Sequence, residues 1–156
     1  MSEPLLLSPK EALPIIEDLL KSGASCPILV TGNSMLPFLH HEKETVIVSP
    51  VTSPLKRDDI IFYNRGTQIT EKDGVRTEAP IVVLHRIYKL TDYGCITLGD
   101  AQTKKEPVKT AQILGVVTQV QKNGKTHSVN NIFYRFGVMV WRWLLPLRPY
   151  LLRLFR

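Results

Sequence analysis

The chain has 156 residues, 44% of them hydrophobic and 22% charged, a balance that suits one globular domain with a single core and argues against disorder. Its net charge of +6 is concentrated in Arg135, Arg142, Arg148, Arg153 and Arg156, with no acid between residues 130 and 156, so the body of the chain is close to neutral. That distribution excludes a nucleic-acid-binding face on the body. Two cysteines, Cys26 and Cys95, are too few for a disulfide framework and read as separate buried thiols, with a single bridge between them as the alternative.

The N-terminus lacks the basic and apolar regions of a signal peptide, and no stretch reaches the roughly 20 apolar residues of a spanning helix. Ser8-Pro9-Lys10-Glu11 predicts a capping box with proline at the first helical position. Leu13, Ile16, Leu19 and Leu20 then recur at helical spacing until Gly23 stops the helix. From Pro27 onward short β-rich runs take over: Ile28–Val30, Thr45–Ser49, Ile60–Tyr63, Ile81–Lys89 and Cys95–Leu98. The polar stretch 64–80 is expected to be a hairpin or an exposed loop. Ile113–Gln121 and Lys125–Val129 flank Asn123-Gly124, a strong hairpin signal. His40-His41-Glu42 offers adjacent side chains that point in different directions, and no second cluster completes a ligand set, so neither a metal nor a cofactor is expected.

The expected organisation is therefore a helix over residues 1–25, a β-rich domain over 26–129 and a distinct tail over 130–156. Asn130-Asn131 can cap a helix, the tail is rich in Phe, Trp and Leu, and Pro146 and Pro149 interrupt it. Arg135 and Arg142, seven positions apart, share a face. An arginine at the centre of a spanning helix costs about 2.5–3.5 kcal/mol, whereas arginine beside tryptophan and leucine suits a helix lying among lipid headgroups. The tail is accordingly expected to dock the chain peripherally on a membrane surface, at the cytoplasmic face, with a packed C-terminal helix as the alternative.

A serine hydroxyl needs a base to become a nucleophile. Gly32 and Asn33 tolerate unusual backbone angles and Pro37 restrains the exit, so Ser34 can be presented at the end of a strand. Gly32-Asn33-Ser34-Met35-Leu36-Pro37 resembles the nucleophile box of the signal peptidase I and LexA-like serine peptidase superfamily. Four further blocks follow in order. Lys56–Tyr63 is similar to the strand that opens on a basic residue and aspartate, and Val83-Leu84-His85-Arg86-Ile87 resembles the general-base box. Leu98-Gly99-Asp100 resembles the Gly-Asp block, and Ile113-Leu114-Gly115-Val116-Val117 the closing strand. The resemblance spans most of the domain and implies its β-rich catalytic fold. His85-Arg86 stands where bacterial signal peptidases carry lysine, which matches the histidine subtype found in the endoplasmic reticulum and archaea.

The resemblance implies a Ser34–His85 mechanism, with histidine already largely neutral at pH 7 and hence a competent base. A third residue should orient the imidazole. Asp100 matches the family's Gly-Asp block, and Glu106 is the alternative. The Ser34 N–H is the first oxyanion donor, with Gly32, Asn33 and Met35 around it and Thr31 as a further candidate; Gly32 replaces the serine that many signal peptidases add. The expected activity is endoproteolysis of a leader or precursor peptide at a membrane surface. The alternatives are a LexA-like self-cleaving regulator and an inactive binding module of the same fold.

Overall fold

The computed structural model describes residues 8–154. Helix α1 (Pro9–Lys21) opens with the Ser8 N–H and hydroxyl donating to Glu11 Oε2 at 3.0 and 2.7 Å. It closes at Gly23, whose φ of +86° lets Gly23 and Ala24 donate back to the Leu20 and Leu19 carbonyls. Leu20 turns into the main core, so helix and sheet share one interior.

The chain is mainly β. Eight antiparallel strands form one sheet: β1 (Cys26–Leu29), β2 (Thr45–Ser49), β3 (Ile60–Lys72), β4 (Val75–Thr91), β5 (Gly94–Leu98), β6 (Glu106–Lys109), β7 (Ile113–Lys122) and β8 (Lys125–Ser128). Their order is β1-β2-β7-β3-β4-β5-β6, with β8 beside β7. Strand β6 is the element that the pattern hides, because Pro107 and the lysines around it read as loop. It lies at the edge of the sheet, where a strand proline is tolerated. The polar stretch 64–80 is a hairpin: β3 and β4 run on as an exposed ribbon to a turn at Asp73-Gly74, both at positive φ.

β3 is covered on both faces, so Ile60, Ile61, Phe62 and Tyr63 are all buried instead of alternating. Ile60 and Phe62 join Val46, Val48 and Val117 in one core cluster. Ile61 and Tyr63 join Ile87, Cys95 and Val108 in a second, on the other side. Cys26 and Cys95 are both buried free thiols.

Asn131 caps α2 (Ile132–Trp143) by accepting from the Phe133 and Tyr134 N–H groups. After Pro146 the tail continues through α3 (Arg148–Leu151). Trp141 and Leu152 bury themselves against Leu36, two residues from Ser34. The face of α2 that carries Arg135 and Arg142 is turned toward the domain. Arg142 pairs with Asp58, Arg135 with Asp59 at 3.7 Å, and Arg148 donates to the Gln102 carbonyl at 3.1 Å. The reason lies in the two adjacent acids, which hold two of these arginines by charge. Much of what remains outside on the tail is apolar, with Phe133, Phe136, Val140, Trp143, Leu147 and Leu154 exposed, Phe133 at 83%, beside an exposed Arg153. Among the described residues no helix is long and apolar enough to cross a membrane.

Candidate active site

Ser34 sits in a tight loop between β1 and β2. Met35, 2% exposed, and Leu39 anchor this loop in the main core, and the Leu36–Pro37 peptide is cis. Gly32 adopts φ +80°, a conformation that glycine accepts without strain. On its other side the Ser34 carbonyl accepts the Ala101 N–H at 2.8 Å. Gly99 closes against the same carbonyl, where a Cβ would stand 2.7 Å from the oxygen. The turn at 99–102 thus meets the Ser34 loop through close backbone contacts, and Ala101 packs with Leu36 beside them.

Ser34 and His85 line one cavity of about 260 Å³, with Gly32, Met35, Arg65 and Gln102 among its other walls. Among the described residues no hydrogen bond joins the Ser34 hydroxyl to His85. Gly32 is spoken for as a donor, because its N–H binds His41 Nδ1 at 2.9 Å. Asn33 is exposed and does not line the cavity. The N–H groups of Thr31, Ser34 and Met35 keep no partner among the described residues, and all three residues line the cavity.

His85 is 2% exposed and pairs across the sheet with Ile61, which sets it on the same face as Tyr63. The Tyr63 hydroxyl stands 3.2 Å from His85 Nδ1 and donates to Glu106 Oε2 at 2.9 Å. A phenol has one proton, so when it donates to the carboxylate it must accept from His85. The imidazole is therefore protonated at Nδ1, and its lone pair is on Nε2. Glu106 Oε2 lies 4.0 Å from Nδ1, so Tyr63 bridges the two. Arg65 clamps Glu106 with two hydrogen bonds of 2.7 and 2.9 Å.

Burial decides the charge states. Desolvation takes the His85 pKa down to about 4, against an opposing pull from Glu106, so the ring is neutral at pH 7. Burial, with a smaller push from Glu106, lifts Tyr63 to about 12 and keeps it a proton donor. Burial also pushes the Glu106 carboxyl up, but hydrogen bonds from Arg65 and Tyr63 outweigh it and hold the group below the usual carboxylate range.

The expected pairing of Asp100 with His85 is not formed. Successive strand residues point to opposite faces, so Arg86 leaves the sheet on the side away from His85. Asp100 meets it there in a bidentate pair of 2.9 and 2.7 Å, and Arg86 also reaches the Asp58 carbonyl and the Tyr134 hydroxyl. Both partners are buried. Glu106, on β6, is the acid on the His85 side. Tyr63 is a residue that the sequence offered as lining the cleft or as structural, with no part in holding the histidine; it lies two residues from Ile61, which pairs with His85 across the sheet. Among the described residues no group of three or more His, Cys, Asp or Glu side chains converges as a metal site would. His40 instead binds the buried Glu44 at 3.2 Å, and Lys122 reaches the same carboxylate. No protein-family model, no curated protein and no solved structure matches the chain.

Proposed function

We propose that the chain is a serine endopeptidase of the signal-peptidase and LexA-like type, cutting a leader or precursor peptide at a membrane surface. One observation carries this reading: Ser34 shares a cavity with a buried, neutral histidine whose far nitrogen is tied through Tyr63 to a carboxylate. Catalytic hydrogen bonds of this class tighten when substrate seals the site. The Ser34 hydroxyl attacks the scissile carbonyl while His85 Nε2 takes its proton. The Ser34 N–H stabilises the oxyanion, and Glu106 offsets the charge that builds on the imidazole. His85 then protonates the leaving amine, and water resolves the acyl-enzyme with His85 again as base.

The exposed apolar face of the tail supports the membrane part of the reading, since monomers rarely leave so continuous an apolar stripe in water. The test pairs wild type with Ser34→Ala and His85→Ala on a panel of leader peptides, followed by mass spectrometry. Cleavage should fall by roughly three orders of magnitude or more in either variant; cleavage that survives both rules the mechanism out.

A further inference from the structure

Next to the Ser34 cavity, and sharing Arg65 and Gln102 with it, lies a larger open cleft of about 960 Å³. Residues 101–107 form one wall, and Pro149, Leu152 and Arg153 of the tail form another. Its charge is one-sided. Glu106 is the one acid in the lining and Arg65 already matches it. Lys104 and Arg153 have no acidic partner among the described residues. Lys105 stands 4.1 Å over the Tyr88 ring and not against a carboxylate.

We infer that this cleft is a subsite for an acidic segment of the peptide substrate, on one flank of the bond that Ser34 cuts. The inference rests on the peptidase reading and names a substrate class for it. Three cations with no acidic partner among the described residues line this concavity and attract an anion, and low-dielectric walls focus their field. The rings of Tyr88 and Tyr150 that Lys105 and Arg153 stand over do not cancel their charge. The cleft is at the upper end of the size of ligand pockets, with room for several side chains. It also runs into the nucleophile's cavity, so an extended chain lying in it continues past His85. A lipid headgroup has no such continuation, and that favours peptide over lipid.

The test uses the full chain carrying Ser34→Ala and two fluorescein-labelled peptides, identical except for successive glutamates or glutamines on one flank of an Ala-rich centre. Fluorescence anisotropy should give the glutamate peptide about tenfold tighter binding at about 0.05 M salt, with the advantage shrinking at about 0.3 M. Adding Lys104→Glu and Lys105→Glu, both at exposed positions, should erase the preference. Equal affinity for the two peptides, binding of neither, or a preference that survives the double substitution overturns the subsite. So does a double variant that loses binding to phosphatidylglycerol vesicles while keeping its peptide preference, because the cleft would then serve lipid. If the wild type shows the lysine-dependent preference yet cuts neither peptide, the subsite stands and the peptidase reading falls.

Discussion

Tyr63 has one proton, which it gives to Glu106 while its oxygen accepts from His85 Nδ1, and this sets the tautomer of the imidazole. Tyr63→Phe keeps the ring but removes the bridge, leaving His85 Nδ1 and Glu106 without their shared partner. We expect kcat to fall by about ten- to a hundredfold with KM little changed, measured by steady-state cleavage. Protonation adds a second expectation. His85 is depressed to about 4 in the folded chain against 6.5 ordinarily, so the acid limb of kcat/KM should lie near pH 4 and not near pH 6. The same shift acts on stability: below about pH 6.5 the unfolded chain takes up a proton that the folded chain refuses. His85 therefore contributes a stability that is present above pH 6.5 and is lost as pH falls toward 4, on the order of 3 kcal/mol. Chemical denaturation between pH 7 and 4 checks it. At this scale the sequence could single out Ser34 and His85 because each lies in a short contiguous block, and both line one cavity. Which acid faces His85 depends on which face of β4 each residue takes and on what β6 brings to it, and local spacing contains neither.

The tail is the element whose role changes most once it is folded. Trp141 Nε1 donates to the Asp100 carbonyl at 2.8 Å, and Arg148 donates to the Gly99 and Gln102 carbonyls at 3.4 and 3.1 Å. These are the backbone groups of the turn that holds the Ser34 carbonyl through Ala101. Trp141→Phe preserves most of the buried ring and leaves the Asp100 carbonyl without this donor. It should cost about 1–3 kcal/mol in thermal or denaturant unfolding. Activity in the folded fraction should also drop, because the turn is a wall of the nucleophile loop. Unchanged kcat with lowered stability would reduce Trp141 to a packing role. The amphipathic pattern of the tail was plain in the sequence, but its orientation was not. Periodicity says which residues share a face; Asp58 and Asp59, far away in the chain, decide which way that face turns.

For the whole molecule, the arrangement separates two surfaces that composition alone merges. The positive charge of α2 is held against the domain, and an apolar stripe is what the molecule presents outward. Vesicle binding should accordingly depend on Phe133 and Trp143, which are 83% and 74% exposed, and only weakly on salt. Phe133→Ser with Trp143→Ser should abolish co-sedimentation while leaving the unfolding transition in place; retained binding would remove the membrane from the proposal. The general architecture was legible because helix caps, alternating strands and the Asn-Gly turn are local signals. The sheet order, the two-sided burial of β3 and the docking of the tail are long-range choices, settled by which apolar faces remain to be covered.

The contact between the 99–102 turn and Trp141 and Arg148 also couples the tail to the loop that holds Ser34. Trp141 and Arg148 donate to carbonyls of the same turn whose Ala101 N–H holds the Ser34 carbonyl. Whatever lifts α2 away from the domain leaves those carbonyls without their donors and loosens the turn. A force applied at the tail is therefore felt at Ser34, although the two are more than a hundred residues apart in the chain.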